Sequence, residues 1–457
     1  MKKIGRIIKW EKINMPLLIF LILFLNVKFV IKLVAILSIV AYSKKIKFGD
    51  LLKTSRFPIF YALIILIEPL KYLLITRNFS LKPTCTKLIS NMSSLRILHL
   101  ANDFAGSEVY KNLVAALDQR GFTQIVYCPV RDTALVNKNK IEFKNPDSQI
   151  IYSPILNKFT DRIFYPLKIK KLLNDTEKKI NFSQIDCIHA HTWYSDGGVA
   201  YMLSKKYNIP YITAIRNTDL NLFQKWLFYV RPFGRKILNS AKKVILIAAS
   251  YKDRVLAQHS LQNIKIQLEK KIRIIPNGVD SFWIDNAINT PKNRINNTLN
   301  VLYIGKFTKS KNIVALQEAI NLLNQENNKG VKLHIVGGGG SKSKEVMANV
   351  EQYPDLFQFY GKIFDKNRLL QVFRDCDVFA MPSKRETFGL VYVEAMLQGL
   401  PIMYKKNEGI DGLYAEKIGE AVTVGNKGEI KDKLKLLYDH LDSYELNIPL
   451  IKKNHTW

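Results

Sequence analysis

Cysteine is scarce in this 457-residue chain: four residues, Cys85, Cys128, Cys187 and Cys376, lie far apart. Their spacing fits neither a disulfide framework nor a zinc site, so they read as reduced thiols in a reducing compartment. Acids are few as well, 38 Asp and Glu against 69 Lys and Arg, which leaves a net charge of +31. Such an excess calls for an anionic partner, whether nucleic acid, anionic lipid or a phosphorylated ligand. The chain has no arginine-rich tail and no basic motif interleaved with aromatics, which argues against nucleic acid. Internal repeats of solenoid period are also missing.

The positive charge is densest where the chain is most apolar. Residues 1–91 contain 16 Lys and Arg but only three acids, Glu11, Asp50 and Glu68, a local excess of +13. Within them run two long apolar stretches, 15–42 and 58–76. Each exceeds or approaches the ~20 residues that cross a hydrocarbon core. A signal peptide is a poor fit, because the first run is too long and lacks a small-residue cleavage site. Lys28, Lys32, Glu68 and Lys71 inside these runs are costly in lipid. Transmembrane spans, interfacial helices with snorkelling lysines and a buried soluble pair therefore all stay open. Both flanks are basic, so the distribution of Lys and Arg does not orient the segment. Residues 1–78 are expected to anchor the chain to a membrane.

From Met92 the texture changes to short apolar runs alternating with helical patterns: "LRILHLAND", "IDCIHAH", "IPYITAIRN", "KKVILIAAS", "LNVLYIGKF", "VKLHIVGGGG", "CDVFAMPS" and "LPIMY". That alternation predicts an α/β protein with parallel sheets covered on both faces. A polar, Asn-rich stretch, 285–300, interrupts it. The expected domains are a membrane-associated helical segment over 1–91 and two Rossmann-like, doubly wound domains over 92–280 and 281–457.

Ligands of open α/β sheets bind at the carboxyl ends of strands, and the second domain is rich in chemistry there. Gly305 ends a strand and is followed by Lys306 and Lys311. The run "VGGGG", with Gly338 at its centre, lets main chain approach a ligand closely. In "PSKRETFGLVYVEAMLQGLPIM", residues 382–403, Phe388, Gly389 and Leu390 lie where a helix begins. Free N–H groups there form an anion site, and with two lysines they suit a diphosphate. Glu394, on that helix, can accept hydrogen bonds from ribose hydroxyls, whereas Glu386, in the loop, reaches toward a sugar beyond the diphosphate. Taken alone, Glu394 is an ordinary solvated helix residue, and its spacing to Glu386 is what singles it out.

In these motifs residues 92–457 resemble a GT-B glycosyltransferase of group 1, the family-four retaining class. Glu386 and Glu394 match that family's Glu-x7-Glu pair, "RIIPNGVD" (273–280) its interdomain signature, and "GKFTKSKN" (305–312) its diphosphate loop. Lys306 stands where the family usually has Arg, and Asn312 where it has Gly. In the first domain "NDFAGSE" (102–108) resembles the first glycine-rich loop, with Ala105 replacing one glycine and Gly106 retained. The strand "IDCIHAH" brings His191, and Arg216 stands where many relatives carry a histidine.

The resemblance implies two domains facing a cleft, a nucleotide-sugar donor and a saccharide acceptor; the basic, apolar N-terminus points to a lipid-linked acceptor at the cytoplasmic face of the cell membrane, in surface polysaccharide assembly. The resemblance implies no cofactor and no metal, so the Asp375-Cys376-Asp377 spacing is set aside. Glu386, Lys306, Lys311 and His191 are implied as catalytic. Donor binding falls to Gly305, Lys306, Lys311, Gly338, Phe388, Gly389, Leu390 and Glu394. Gly106, His191, Arg216 and Asp219 line the acceptor side. Two alternatives stay open: Arg216 supports the leaving diphosphate, or Asp219 contacts the acceptor. His189 and His191 share one strand face, so a core role is open for both. A non-catalytic membrane-docked nucleotide-sugar-binding protein and a GT-B epimerase are the rival functions. The chain also stops near the point where relatives begin a last helix crossing back to the first domain, which is expected to be lacking.

Overall fold

Runs of β-branched and aromatic residues become strands buried on both faces, and the helices between them supply the cover. The computed structural model describes residues 95–157, 160–288, 298–326, 330–444 and 446–457. The expected membrane segment lies outside the described residues. The chain divides into two compact units, Met1–Thr86 and Lys87–Trp457, and all that follows concerns the second. Among the described residues no helix is long and apolar enough to cross a membrane.

The first sheet has seven strands: β1 (Arg96–Leu100), β2 (Thr123–Pro129), β3 (Gln149–Ser153), β4 (Cys187–Ala190), β5 (Tyr211–Ile215), β6 (Lys243–Leu246) and β7 (Ile272–Ile274). Their order is β3-β2-β1-β4-β5-β6-β7, and every pairing is parallel. Leu98, Val126, Ile188 and Val244 are fully buried along it. The helices that matter here are α1 (Glu108–Gln119), α2 (Tyr165–Lys179), α3 (Ser195–Tyr207), α4 (Arg231–Ser240) and α5 (Ser250–Leu256).

The second sheet has six strands: β8 (Thr298–Gly305), β9 (Gly330–Gly337), β10 (Phe357–Gly361), β11 (Val378–Ala380), β12 (Ile402–Lys405) and β13 (Gly419–Val422). Their order is β10-β9-β8-β11-β12-β13, again wholly parallel. It is flanked by α6 (Ile313–Glu326), α7 (Ser343–Gln352), α8 (Lys366–Asp375), α9 (Leu390–Leu397) and α10 (Lys427–Asp439). Strand order reverses between β1 and β4 in one sheet and between β8 and β11 in the other. Those two switch points are where an open α/β sheet receives a ligand.

One expectation about the end of the chain needs correction. A closing helix is present: α11 (Ile448–His455) begins with Pro449 in its first turn and with the Asn447 side chain accepting from the Leu450 amide. It packs on α9, and its end returns to the interdomain signature. The Val279 amide donates to the His455 carbonyl at 2.9 Å, and His455 Nδ1 donates to the Asn277 carbonyl at 2.8 Å.

Candidate active site

The donor half is built from three loops at the carboxyl edge of the second sheet. Gly305 and Gly337 are paired at the ends of β8 and β9. A Cβ on Gly337 would lie 2.0 Å from the Gly305 carbonyl oxygen, and one on Gly340 would lie 2.5 Å from that of Phe307. Those two glycines are therefore structural, allowing the loops after β8 and β9 to touch. Between them Gly338 and Gly339 meet nothing closer than 3.8 Å, so Gly338 leaves its main chain open at the ends of β8 and β9. The loop after β8 carries Lys306, exposed, and Lys311, half-buried. Asn312 explains its own departure from glycine: its φ is +59°, a left-handed conformation that Asn tolerates. Its side-chain amide then donates to the Gly425 carbonyl at 2.7 Å, a clamp that glycine lacks.

The loop after β11 brings the paired glutamates. The Lys384 amide bonds the Ser310 carbonyl at 2.8 Å, tying this loop to the lysine loop. Lys311 Nζ donates to Glu386 Oε2 at 2.5 Å, and Glu386 is buried. Gly389 caps α9 with φ +79°, and a Cβ there would lie 2.5 Å from the Tyr392 ring. Only glycine makes that turn, which puts Leu390 at the start of the helix and leaves its first amides facing the loop. Phe388 contributes main chain, since its side chain is buried against His455. Glu394, one turn into α9, is half-buried. Burial and the Asp280 carboxylate push its pKa up to about 7, against the pull of Lys366.

The acceptor half surrounds the end of β4, and here the sequence expectations need correction. Asp219 is not free to contact an acceptor: its carboxylate accepts from the amides of Trp193 (3.1 Å), Tyr194 (3.0 Å) and Arg216 (2.8 Å). It is a buried brace for the turns after β4 and β5. His191 is buried too, with Nε2 at 3.0 Å from His99 Nδ1, its ring stacked on His189 and Tyr110 edge-on to it. Desolvation holds His191 and His189 well below the usual histidine range and His99 at about 4, so all three rings are neutral. Such burial counts against His191 as a group that touches substrate. Gly106 lies in an exposed turn, its amide bonded to the Asp103 carbonyl. Arg216 is at the joint: Nε donates to the His191 carbonyl (3.2 Å) and Nη1 to Asn277 Oδ1 (3.3 Å). Two of its five donors are thereby used, which leaves capacity for an anion.

Sequence reasoning missed the residues that join the halves. Asn217 donates to Thr387 Oγ1 at 3.0 Å, next to Glu386. Arg254 pairs with Glu408 at 3.2 Å, and the other Glu408 oxygen accepts from the Glu386 amide. It also missed Asp196, in the first turn of α3, which accepts from the Asn102 main chain and side chain and from Thr192. Asp196 thus anchors the first glycine-rich loop. Burial raises its carboxyl and lowers the neighbouring Lys168 ammonium, each partly restored by the other.

Comparison with known proteins matches both halves. Residues 106–281 match the Glycosyltransferase Family 4 model and residues 285–446 that of Glycosyl transferases group 1. A protein of the cps region of Klebsiella pneumoniae is 24% identical over 236 residues, 50% of this chain and 62% of that one. Glycogen synthase from Mycobacterium tuberculosis is 26% identical over 270 residues, 57% of this chain and 59% of the enzyme. The chain thus spans about three-fifths of the length of these relatives. Sucrose-phosphate synthase from Thermosynechococcus elongatus superposes with a TM-score of 0.56 at 18% identity, over 79% of this chain and 93% of that one. The Anabaena protein HepE, solved with UDP and glucose, gives 0.51 at 17% identity, over 79% and 95%. At these identities the structural likeness speaks for the fold alone.

Proposed function

Since the chain belongs to the group 1 glycosyltransferases of GT-B fold, we propose that it moves a sugar from a nucleotide-sugar donor to a lipid-linked saccharide acceptor, with retention at the anomeric carbon. The observation that carries this reading is the Lys311–Glu386 pair at 2.5 Å, held beside the glycine-started helix α9. Positive charge and free amides suit a diphosphate, and the buried carboxylate suits the hydroxyls of the sugar attached to it.

In the proposed reaction the acceptor hydroxyl attacks the anomeric carbon from the face the diphosphate leaves. A C–O bond to the acceptor forms, the C–O bond to the diphosphate breaks, and the hydroxyl proton passes to a diphosphate oxygen. Lys306, Lys311 and the first amides of α9 stabilise the negative charge that develops there. Arg216, with donors left unused at the joint, would add to that field. No metal or cofactor enters the proposal. Residues 1–78 would hold the enzyme at the cytoplasmic face of the membrane, with surface polysaccharide assembly as the proposed setting.

Full-length protein is screened against UDP-, GDP- and ADP-sugars by thermal stabilisation, then assayed for nucleoside diphosphate release with lipid-linked acceptors. At least one donor should be turned over. Glu386→Ala should lower turnover by about 10²-fold, the cost of misplacing a reacting centre by about 1 Å, while largely keeping affinity for the bare nucleoside diphosphate. Lys311→Ala should weaken binding and rate together. A donor bound but never turned over would leave a binding protein, and a fully active Glu386→Ala variant would remove this site from the reaction.

A further inference from the structure

The helical stretch 217–226 has two faces with opposite characters. One is turned to the second domain through Asn217, bonded to Thr387, and Asn221, whose side-chain oxygen accepts from Arg254 at 3.3 Å. The other is bare: Leu222, Trp226 and Phe228 are 40%, 65% and 54% exposed. Leu222 and Trp226 are four residues apart and share a helix face. Single exposed apolar residues are ordinary, but a cluster with a tryptophan at its centre marks a contact surface.

Charge identifies the partner. From Leu220 to Lys252 the chain carries seven Lys and Arg and no acid. Lys225 and Lys236 are exposed, and the Lys225 ammonium lies 5.2 Å from the centre of the Trp226 ring. Tryptophan and phenylalanine flanked by cations and free of acids match the boundary between headgroup and acyl chain of an anionic bilayer. The nearest preceding acid, Asp219, is buried and engaged by three amides, so it does not offset these cations. We propose that Leu222, Trp226 and Phe228, with Lys225 and Lys236, form a membrane-docking surface that inserts its aromatic rings into an anionic leaflet. These residues are distinct in sequence from the apolar runs of residues 1–91. Because Asn217 and Asn221 on the same helical stretch border the cleft, docking there would bring the acceptor side of the cleft to the lipid surface. The proposal rests on exposure and charge and does not depend on the reaction.

The test is quenching of tryptophan fluorescence in full-length protein by brominated lipids, in vesicles with or without phosphatidylglycerol. Trp193 and Trp283 are buried and Trp457 is half-buried, so in a Trp10→Phe background the component lost in Trp226→Phe reports this surface. Brominated phosphatidylglycerol vesicles should quench that component, and the quenched signal should fall by at least half in the Trp226→Phe variant. The Lys225→Glu/Lys236→Glu variant, with Trp226 intact, should lose most of the Trp226 quenching. An unchanged quenched signal in Trp226→Phe would overturn the proposal, as would equal quenching of Trp226 in neutral vesicles. Trp226 already shielded from iodide in the absence of lipid would mean that protein covers the patch, and the proposal would fall.

Discussion

Glu394 and Glu386 stand eight positions apart yet meet different surroundings. Glu386 has the Lys311 ammonium against one oxygen and the Thr387 amide against the other. Glu394 faces the repulsion of Asp280 in a desolvated position, so its carboxyl ionises only near pH 7. A charged carboxylate is the stronger acceptor for ribose hydroxyls. The sign follows: raising the pH from 6 to 8 deprotonates Glu394 and should strengthen donor binding. Calorimetric titration of UDP-glucose, whose own phosphates do not titrate in this window, should show affinity rising several-fold across it. The Glu394→Gln variant should be weaker at pH 8 and flat with pH. A wild type as flat as the variant would separate Glu394 from the ribose.

At the scale of the element, the loop after β8 depends on Asn312 holding a left-handed turn while clamping Gly425. Asn312→Ala would place a residue without that tolerance at φ +59° and leave a buried carbonyl without its partner, costs of about 1 kcal/mol each. Asn312→Gly incurs only the second. Urea unfolding should therefore rank wild type above Gly and Gly above Ala, and equal midpoints for the two variants would show that the turn does not need the left-handed region. The same loop shows how much the sequence conveyed. Its lysines, its strand and its glycine partners were readable from pattern, but why Asn replaced Gly was not, because φ is invisible in a sequence. Strands divide along a similar line. The eight apolar runs became β1, β4, β5, β6, β8, β9, β11 and β12, while β2, β3, β7, β10 and β13 went unread. Four of those five, β3, β7, β10 and β13, are the outer strands of their sheets. With one neighbour instead of two, such strands need no continuous apolar run, and "QIIYS", "IRI", "FQFYG" and "GEAV" show none.

At the scale of the whole described unit, the contacts that matter most join residues far apart in the chain, and no local pattern could reveal them. Arg254 and Glu408 are separated by 154 positions, and Asn217 and Thr387 by 170. Through Glu408 the first domain braces the amide of Glu386 itself. Arg254→Ala and Glu408→Gln should each lower turnover, and the double variant should be little worse than either. The cycle should give a coupling of ~0.5–3 kcal/mol, as for residues in direct contact. Strictly additive losses in kcat would mean that the pair does not act as one unit. The strand order has a consequence for how the chain is made. Leu98 of β1 pairs with Ile125 on one side and with Ile188 on the other. At 5–20 residues per second, roughly 5–20 s of synthesis separate β1 from β4. Until β4 is made, β1, third in the seven-strand order, has an open edge of unpaired main-chain groups. Unpaired strand edges are prone to aggregation, so the need for protection during synthesis follows from strand order before any substrate is met.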